Sequence, residues 1–270
     1  MSTKRLFVGQ SFTPQLRGVN LVPPATPKIV SWSEGTDAEI AAMLDAHYAG
    51  TVNLHEIWSI GDTRTVHLSA MPATGVGESH VEQDVEFQLV NAGGKELADG
   101  TECAFVVQLK DVLTDENNEM EGGYMNSAYS NVGGWKECAR RAWCNNVFRA
   151  ALPEAIRNLF KLHKNKSLQG DYSALIDEVE DYFALPSAYN IVGSSSSSFV
   201  VSGEDVVQWS YYDTTEKRKK YTRRNRILSS WSLRSPQKQT GANFCRIKGN
   251  GDLDAALSNE ELGLAPFGTI

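Results

Sequence analysis

Gly133-Gly134-Trp135-Lys136-Glu137-Cys138-Ala139-Arg140-Arg141-Ala142-Trp143-Cys144-Asn145-Asn146-Val147-Phe148 is the stretch whose reading decides the fold class. The glycine pair ends a polar loop and opens a helical segment, in which Trp135, Cys138, Ala139, Ala142, Trp143, Phe148 and Ala151 form a broad apolar stripe. Pro153 starts a second helix through Ile156, Leu159, Phe160 and Leu162. This helical middle is flanked on both sides by strand-like pieces, and that order predicts an α+β domain with antiparallel sheets, two or three helices and long loops.

On the N-terminal side, Thr36-Asp37-Ala38-Glu39 is a capping box. Ile40, Met43, Leu44 and Tyr48 follow at helical spacing and Gly50 supplies the stop, so a short helix is expected. Leu54 to Ile60 and Thr63 to Leu68, around Gly61-Asp62, read as two strands joined by a tight turn. Two more strands are expected at Val85 to Val90 and Cys103 to Leu109, with Gly93-Gly94 turning the chain. Residues 1–30 lack periodicity and carry Pro14, Pro23, Pro24 and Pro27, which favours an extended arm ahead of one domain spanning 31–270. From Asp181 onward short strand-like pieces alternate with Gly, Ser and Asn, and the serine run from Ser194 to Ser198 reads as a flexible loop.

The chain has 270 residues, 41% hydrophobic and 22% charged, which suits a folded globular protein. With 26 Lys+Arg against 33 Asp+Glu the net charge is -7, so nothing general attracts nucleic acid or anionic lipid. The basic run Lys217 to Arg226 reads as a solvated segment or as a patch for phosphate or anionic glycan. No apolar stretch approaches the roughly 18 residues that span a bilayer, and no signal-peptide pattern opens the chain; a soluble protein without a membrane partner is expected.

The sequence contains no GxSxG, HExxH, P-loop or GxGxxG, which removes the common hydrolase, zinc, nucleotide and dinucleotide signatures. His47, His55, His67, His80 and His163 stand at no metal-ligand spacing. Asp115, Asn117, Glu119 and Glu121 alternate as in a calcium loop, but Met120 takes the glycine position and Asn126 the position of the final Glu, so an EF-hand is rejected. Cys103, Cys138, Cys144 and Cys245 form no CxxC pair and are expected as buried free thiols. No catalytic residue, metal or cofactor is therefore expected, with a looser calcium site in the acidic loop 115–121 as the alternative to a solvated loop.

Aromatic and basic residues gather in the last third, and Trp209, Tyr211, Tyr212, Trp231 and Arg234 are the candidate ligand-binding residues. Aromatic faces stack on sugar rings and guanidinium forks bind acidic groups. A second reading stands beside this one. Ser230-Trp231-Ser232-Leu233-Arg234-Ser235-Pro236 alternates as one strand would, placing Trp231 in a core and making Arg234 a buried partner of a carboxylate such as Asp252.

The segments Trp58 to Arg64, Tyr124 to Ser127, Asn131 to Trp135, Cys138 to Asn145, Tyr182 to Pro186, Trp231 to Pro236, Phe244-Cys245 and Gly263 to Ile270 together resemble an uncharacterised domain family of phage and prophage structural proteins of Gram-positive bacteria. The ending also resembles the C-type lectin fold of formylglycine-generating enzymes. Ser232 and Asn190 depart from residues frequent in that family. The resemblance implies a non-enzymatic virion protein, located on tail or capsid, in which the first and last strands pair and loops between Ser194 and Gly263 form a binding face. It further implies an oligomer that contacts other virion proteins through the arm and a host-surface glycan or protein through the loops. An architectural decoration or tail-assembly role without a ligand is the alternative. The oxidase activity of formylglycine-generating relatives is not carried over, because no partner cysteine is placed for Cys245.

Overall fold

The computed structural model of the chain describes residues 26–77, 79–113, 123–193, 199, 203–222 and 225–270. Most of the N-terminal arm, the acidic loop 115–121, the serine run and part of the basic run lie outside the described residues. The expected α+β class is what the structure shows: several antiparallel sheets with short helices between them.

Helix α1, Asp37–Tyr48, starts at the capping box, with the Thr36 hydroxyl accepting from the Glu39 amide and the Glu39 carboxylate accepting from the Thr36 amide. Ile40, Met43, Leu44 and Ala46 face the core. Tyr48 lies at the rim, where its hydroxyl donates to the Ile270 carbonyl and accepts from the Ala104 amide, both at 3.0 Å. Burial of that hydroxyl pushes its pKa up to about 12.

The segment read as a strand at Leu54 to Ile60 is instead a single 3-10 turn, Leu54–Glu56, capped by the Asn53 side chain. Leu54 and Trp58 are both buried, and their spacing of four belongs to a turn of helix, which the apparent alternation masked. Strand β1, Thr63–Leu68, therefore pairs with β2, Gln83–Ala92, and not with the preceding segment. β2 pairs in turn with β3, Phe105–Leu109, through the expected turn at Gly93-Gly94, where both glycines have positive φ. The last strand, β11 (Phe267–Thr269), closes the sheet on the far side of β3, giving the order β1-β2-β3-β11. The expected pairing of first and last strands is thus overturned among the described residues: they are opposite edges, because β2 and β3 already fill the space between them.

The central helical stretch is shorter and less regular than its stripe implied. Trp135 precedes the helix in a turn; α2 runs Ala139–Trp143, a π turn covers Cys144–Phe148, and α3 is Arg149–Ala151. Within α2 the buried face also departs from the stripe. Ala139 and Ala142 are exposed while Arg140 is fully buried, its guanidinium bonded to the Tyr124 and Val76 carbonyls and lying 4.8 Å from the Trp143 ring. The helix expected to run from Pro153 to Leu162 is one turn, α4 (Glu154–Arg157), and the chain then enters β4, His163–Leu168.

β4 pairs with β5, Ile176–Asp181, in an antiparallel hairpin. After α5 (Ala188–Val192) come the two-residue strands β6 (Lys220–Tyr221) and β7 (Leu228–Ser229). A three-stranded sheet follows in the order β10-β9-β8, from Leu253–Leu257, Asn243–Ile247 and Trp231–Pro236. One hydrophobic cluster runs from Trp32 in the N-terminal part to Ile270.

Buried polar groups join these pieces. The Asp181 carboxylate, 1% exposed as a residue, accepts from Trp135 Nε1 at 2.9 Å, Arg141 Nε at 2.7 Å, Asn145 Nδ2 at 2.9 Å and Asn165 Nδ2 at 3.0 Å. Asn165 also accepts from Lys95 Nζ at 2.9 Å, and Lys95 pairs with Asp205, which in turn pairs with Arg234. Replacing Asp181 with Ala leaves four donors without their acceptor, so a loss of at least about 3 kcal/mol is expected. Glu178→Ala in the same hairpin breaks only the exposed pair with Lys166 and is expected to stay within about 0.5 kcal/mol. Urea unfolding of the two variants measures the contrast.

Candidate functional site

The candidate ligand-binding residues divide sharply by burial. Trp209, Tyr212, Trp231 and Arg234 are each 0% exposed, and only Tyr211 reaches the surface in part. The Tyr212 hydroxyl donates to Gln108 Oε1 at 2.5 Å, and Trp231 Nε1 donates to the Arg218 carbonyl at 3.0 Å. Trp209 packs edge-on against Phe267 at 4.8 Å. Arg234 donates to the Leu185 carbonyl at 2.8 Å and pairs with Asp205. Asp252, the carboxylate expected beside Arg234, is instead held in its own turn by Asn250. The reading that puts Trp231 in the core and makes Arg234 the buried partner of a carboxylate therefore describes their positions, with Asp205 as that carboxylate.

Above this aromatic layer lies a cleft of about 220 Å³, lined by Lys110, Asp111, Tyr211, Glu216, Lys217, Lys219, Lys220, Tyr221 and Arg226. It falls within the loop region expected to form a binding face. β6 and β7 place Lys220, Tyr221 and the turn carrying Arg226 along one wall, and the 3-10 turns Ser210–Tyr212 and Glu216–Arg218 supply the other. Lys217 sits 5.5 Å from the centre of the Tyr211 ring, and the Arg226 guanidinium 4.6 Å from that of Tyr221. Four of the cations are ion-paired, Lys110 with Glu86, Lys217 with Asp213, Lys219 with Glu216 and Arg226 with Asp111. These pairs are largely solvent-facing and individually weak, so an incoming anion exchanges for them at little cost.

Lys220 is different. Its ammonium is buried beneath the cleft and donates to the Leu109 carbonyl at 2.6 Å and the Lys110 carbonyl at 3.1 Å. The Trp231 ring lies 5.1 Å away and the Tyr212 ring 5.9 Å. Burial pushes its pKa down to about 7, with Asp111 opposing the shift. Lys220 thus places in the floor of the cleft, without a carboxylate in contact, an amine that is cationic below about pH 7 and neutral above it.

The sequence marked the basic run as a possible anion patch but tied no aromatic residue to it. Tyr221 stands within that run and among the aromatic residues of the last third, but it is not one of the candidate ligand-binding residues. Lys110 and Asp111 carry no motif; only the pairing of Arg226 with Asp111 across the fold brings them to the site.

Another cleft, of about 630 Å³, lies beside the π turn and is lined in part by Arg141, Asn145, Arg149 and Tyr182. Arg141 and Asn145 turn their polar atoms inward to Asp181, and Arg149 lies 3.9 Å from the Tyr182 ring centre. All four cysteines are free and buried. Burial pushes the thiols of Cys138 and Cys103 up to about 11 and about 12, which leaves them protonated and unreactive near neutral pH. Among the described residues no three His, Cys, Asp or Glu side chains gather as a metal site, and no helix is long and apolar enough to cross a membrane.

The lowered pKa of Lys220 makes stability depend on pH in a defined direction. Between pH 7 and 9 the unfolded chain keeps this proton while the folded chain sheds it, so stability rises across the window. Relative to Lys220→Met, the wild-type protein is expected to gain on the order of 1–2 kcal/mol between these pH values, as read from paired urea midpoints.

No curated protein and no solved structure matches the chain. One family model does, over residues 108–270, from within β3 through β11, and it covers the cleft, the aromatic layer beneath it and the Asp181 cluster except for Lys95. This match spans more than half of the chain, and the protein belongs to the family described as a domain of unknown function, DUF6273.

Proposed function

We propose that this chain is a non-enzymatic bacteriophage virion protein, a host-surface-binding module carried on the tail or particle surface, and that the cation-rich cleft beside Tyr211 holds an acidic glycan of the host envelope. The observation that carries the binding part is the pairing of two tyrosine rings, Tyr211 and Tyr221, with Lys217 and Arg226 in one cleft. Sugar rings stack on aromatic faces, and carboxylate or phosphate substituents displace the exposed acid partners of the cations. The ordered motifs that resemble phage and prophage structural proteins of Gram-positive bacteria support the virion setting. Their likeness to the C-type lectin fold supports a loop-borne binding face.

In this reading the arm at residues 1–30 attaches the domain to other virion proteins, and homo-oligomeric display combines many weak sites by multivalency. Nucleic acid is not a partner, in keeping with the net charge of -7, and no cofactor takes part.

Immunogold electron microscopy of purified particles tests the location. Gold at the tail tip supports host attachment, gold over the head points to capsid decoration, and unlabelled particles overturn the virion assignment. For the cleft, purified chain is titrated with polyglycerol phosphate at two salt concentrations. Tyr211→Ala and Arg226→Ala are each expected to weaken binding roughly tenfold, and the Arg226 variant to show the shallower salt dependence. Equal affinity in all three proteins would rule out this cleft.

A further inference from the structure

A second surface, chemically unlike the cationic cleft, is organised by Asn131. This residue is fully buried and its amide nitrogen donates to the Thr240 and Asn243 carbonyls, both at 2.8 Å. Its backbone N–H donates to the Gly241 carbonyl at 2.8 Å, while its side-chain oxygen accepts from the Asp171 amide at 2.8 Å. One side chain therefore fixes three loops against each other. Contact between two of them is so close that a Cβ on Gly170 would lie 1.9 Å from the Asn131 carbonyl oxygen.

The loops so held carry large side chains outward. Tyr172 is 67% exposed, Tyr129 61% and Val132 57%. Asp171 and Tyr172 follow Gly170 in left-handed backbone, with φ of 49° and 62°, a conformation that costs non-glycine residues energy and is held here by the Asn131 contact. An exposed tyrosine kept in strained backbone gains nothing for the core, since its ring is mostly in water. Beside it lies a cleft of about 410 Å³ whose lining includes Glu137, Gln169, Asp171, Ser173 and Asp177, with Lys136 as the one cation. Three carboxylates against one ammonium repel a polyanion, whereas carboxylate, amide and hydroxyl groups together accept and donate hydrogen bonds to sugar hydroxyls.

We infer that this surface is a binding site for an uncharged saccharide, with Tyr129 and Tyr172 as stacking faces and the adjoining polar cleft as the hydroxyl-reading part. It is separate in residues and in charge from the cleft at Tyr211, and it stands whether or not the protein is carried on a virion. The site binds without chemistry, and the rigidity conferred by Asn131 limits the ordering cost of association.

The test is retention of the purified full chain on an array of uncharged hexose and N-acetylhexosamine oligosaccharides, with the best-retained compound then followed by titration calorimetry. Tyr129→Ala and Tyr172→Ala are each expected to weaken that binding roughly tenfold, and Glu178→Ala, on the outer face of the β4–β5 hairpin, to leave it unchanged. Circular dichroism confirms folding, which removal of either exposed ring should not disturb. Failure of every uncharged oligosaccharide to be retained would overturn the inference, as would unchanged affinity in both tyrosine variants. Retention of acidic glycans alone would also overturn it while leaving the cationic cleft standing.

Discussion

The carboxylate of Asp181 is the point on which the packing of this fold turns. A buried carboxylate is costly to desolvate and is tolerated only when its lone pairs are filled with well-placed donors. Here four donors arrive from separate places in the chain: Trp135 ahead of α2, Arg141 and Asn145 within the helical stretch, and Asn165 on β4. The geometry of each is set by the others. Asn145 tightens the cluster further, because its side-chain oxygen accepts from the Tyr182 and Phe183 amides, fixing the chain that leaves β5. The π turn, which begins at Cys144, is part of the same constraint, since it contains Asn145 and sets the direction in which that side chain leaves the helix.

From Asp181 the polar chain continues through Asn165 to Lys95, Asp205 and Arg234. Lys95 follows β2 at the Gly93-Gly94 turn and Arg234 belongs to β8, so this chain connects the first sheet, the β4–β5 hairpin and the last sheet. Glu204 extends it by accepting from Ser235 and from the Leu168 amide, and burial holds its carboxyl above the usual carboxylate range. Apolar packing alone tolerates many exchanges of side chains. A connected polar network does not, because each misplaced donor leaves a buried acceptor unpaired. The network therefore selects one arrangement of sheets that apolar burial would stabilise less specifically. The aromatic layer of Trp209, Tyr212 and Trp231 is packed from the far side, and it supports the cationic cleft instead of forming it.

What the sequence revealed follows from the range over which each signal acts. The capping box at Thr36, the stop at Gly50 and the glycine pair at 93–94 are local, and each appears in the structure where the pattern put it. β3 was legible because it is buried along its full length and four of its five residues are apolar, Gln108 being the exception. The failures are equally physical. Lys164 and Lys166 in β4, like Glu178 and Glu180 in β5, hid a hairpin whose buried positions are themselves largely polar, such as His163, Asn165 and Ser167. Helical spacing in the middle of the chain was real, but a π turn shifts its phase, and no local pattern announces where the extra residue falls. In the last third, aromatic content signalled a core layer and a binding surface at once. Burial separates Trp231 from Tyr211, and burial depends on partners more than a hundred residues away, such as Gln108 beneath Tyr212.

The two proposed surfaces are underlain by different buried groups. Lys220 lies under one of them, its amine held between two carbonyls and two aromatic rings, so the floor of that cleft carries a fixed group that is cationic only below about pH 7. At the other, Asn131 fixes loop geometry using only neutral groups, leaving the rim carboxylates to set the sign of the field. Each surface thus rests on a buried residue whose hydrogen bonds are directed to backbone. That arrangement lets the exposed side chains above it change without disturbing the fold.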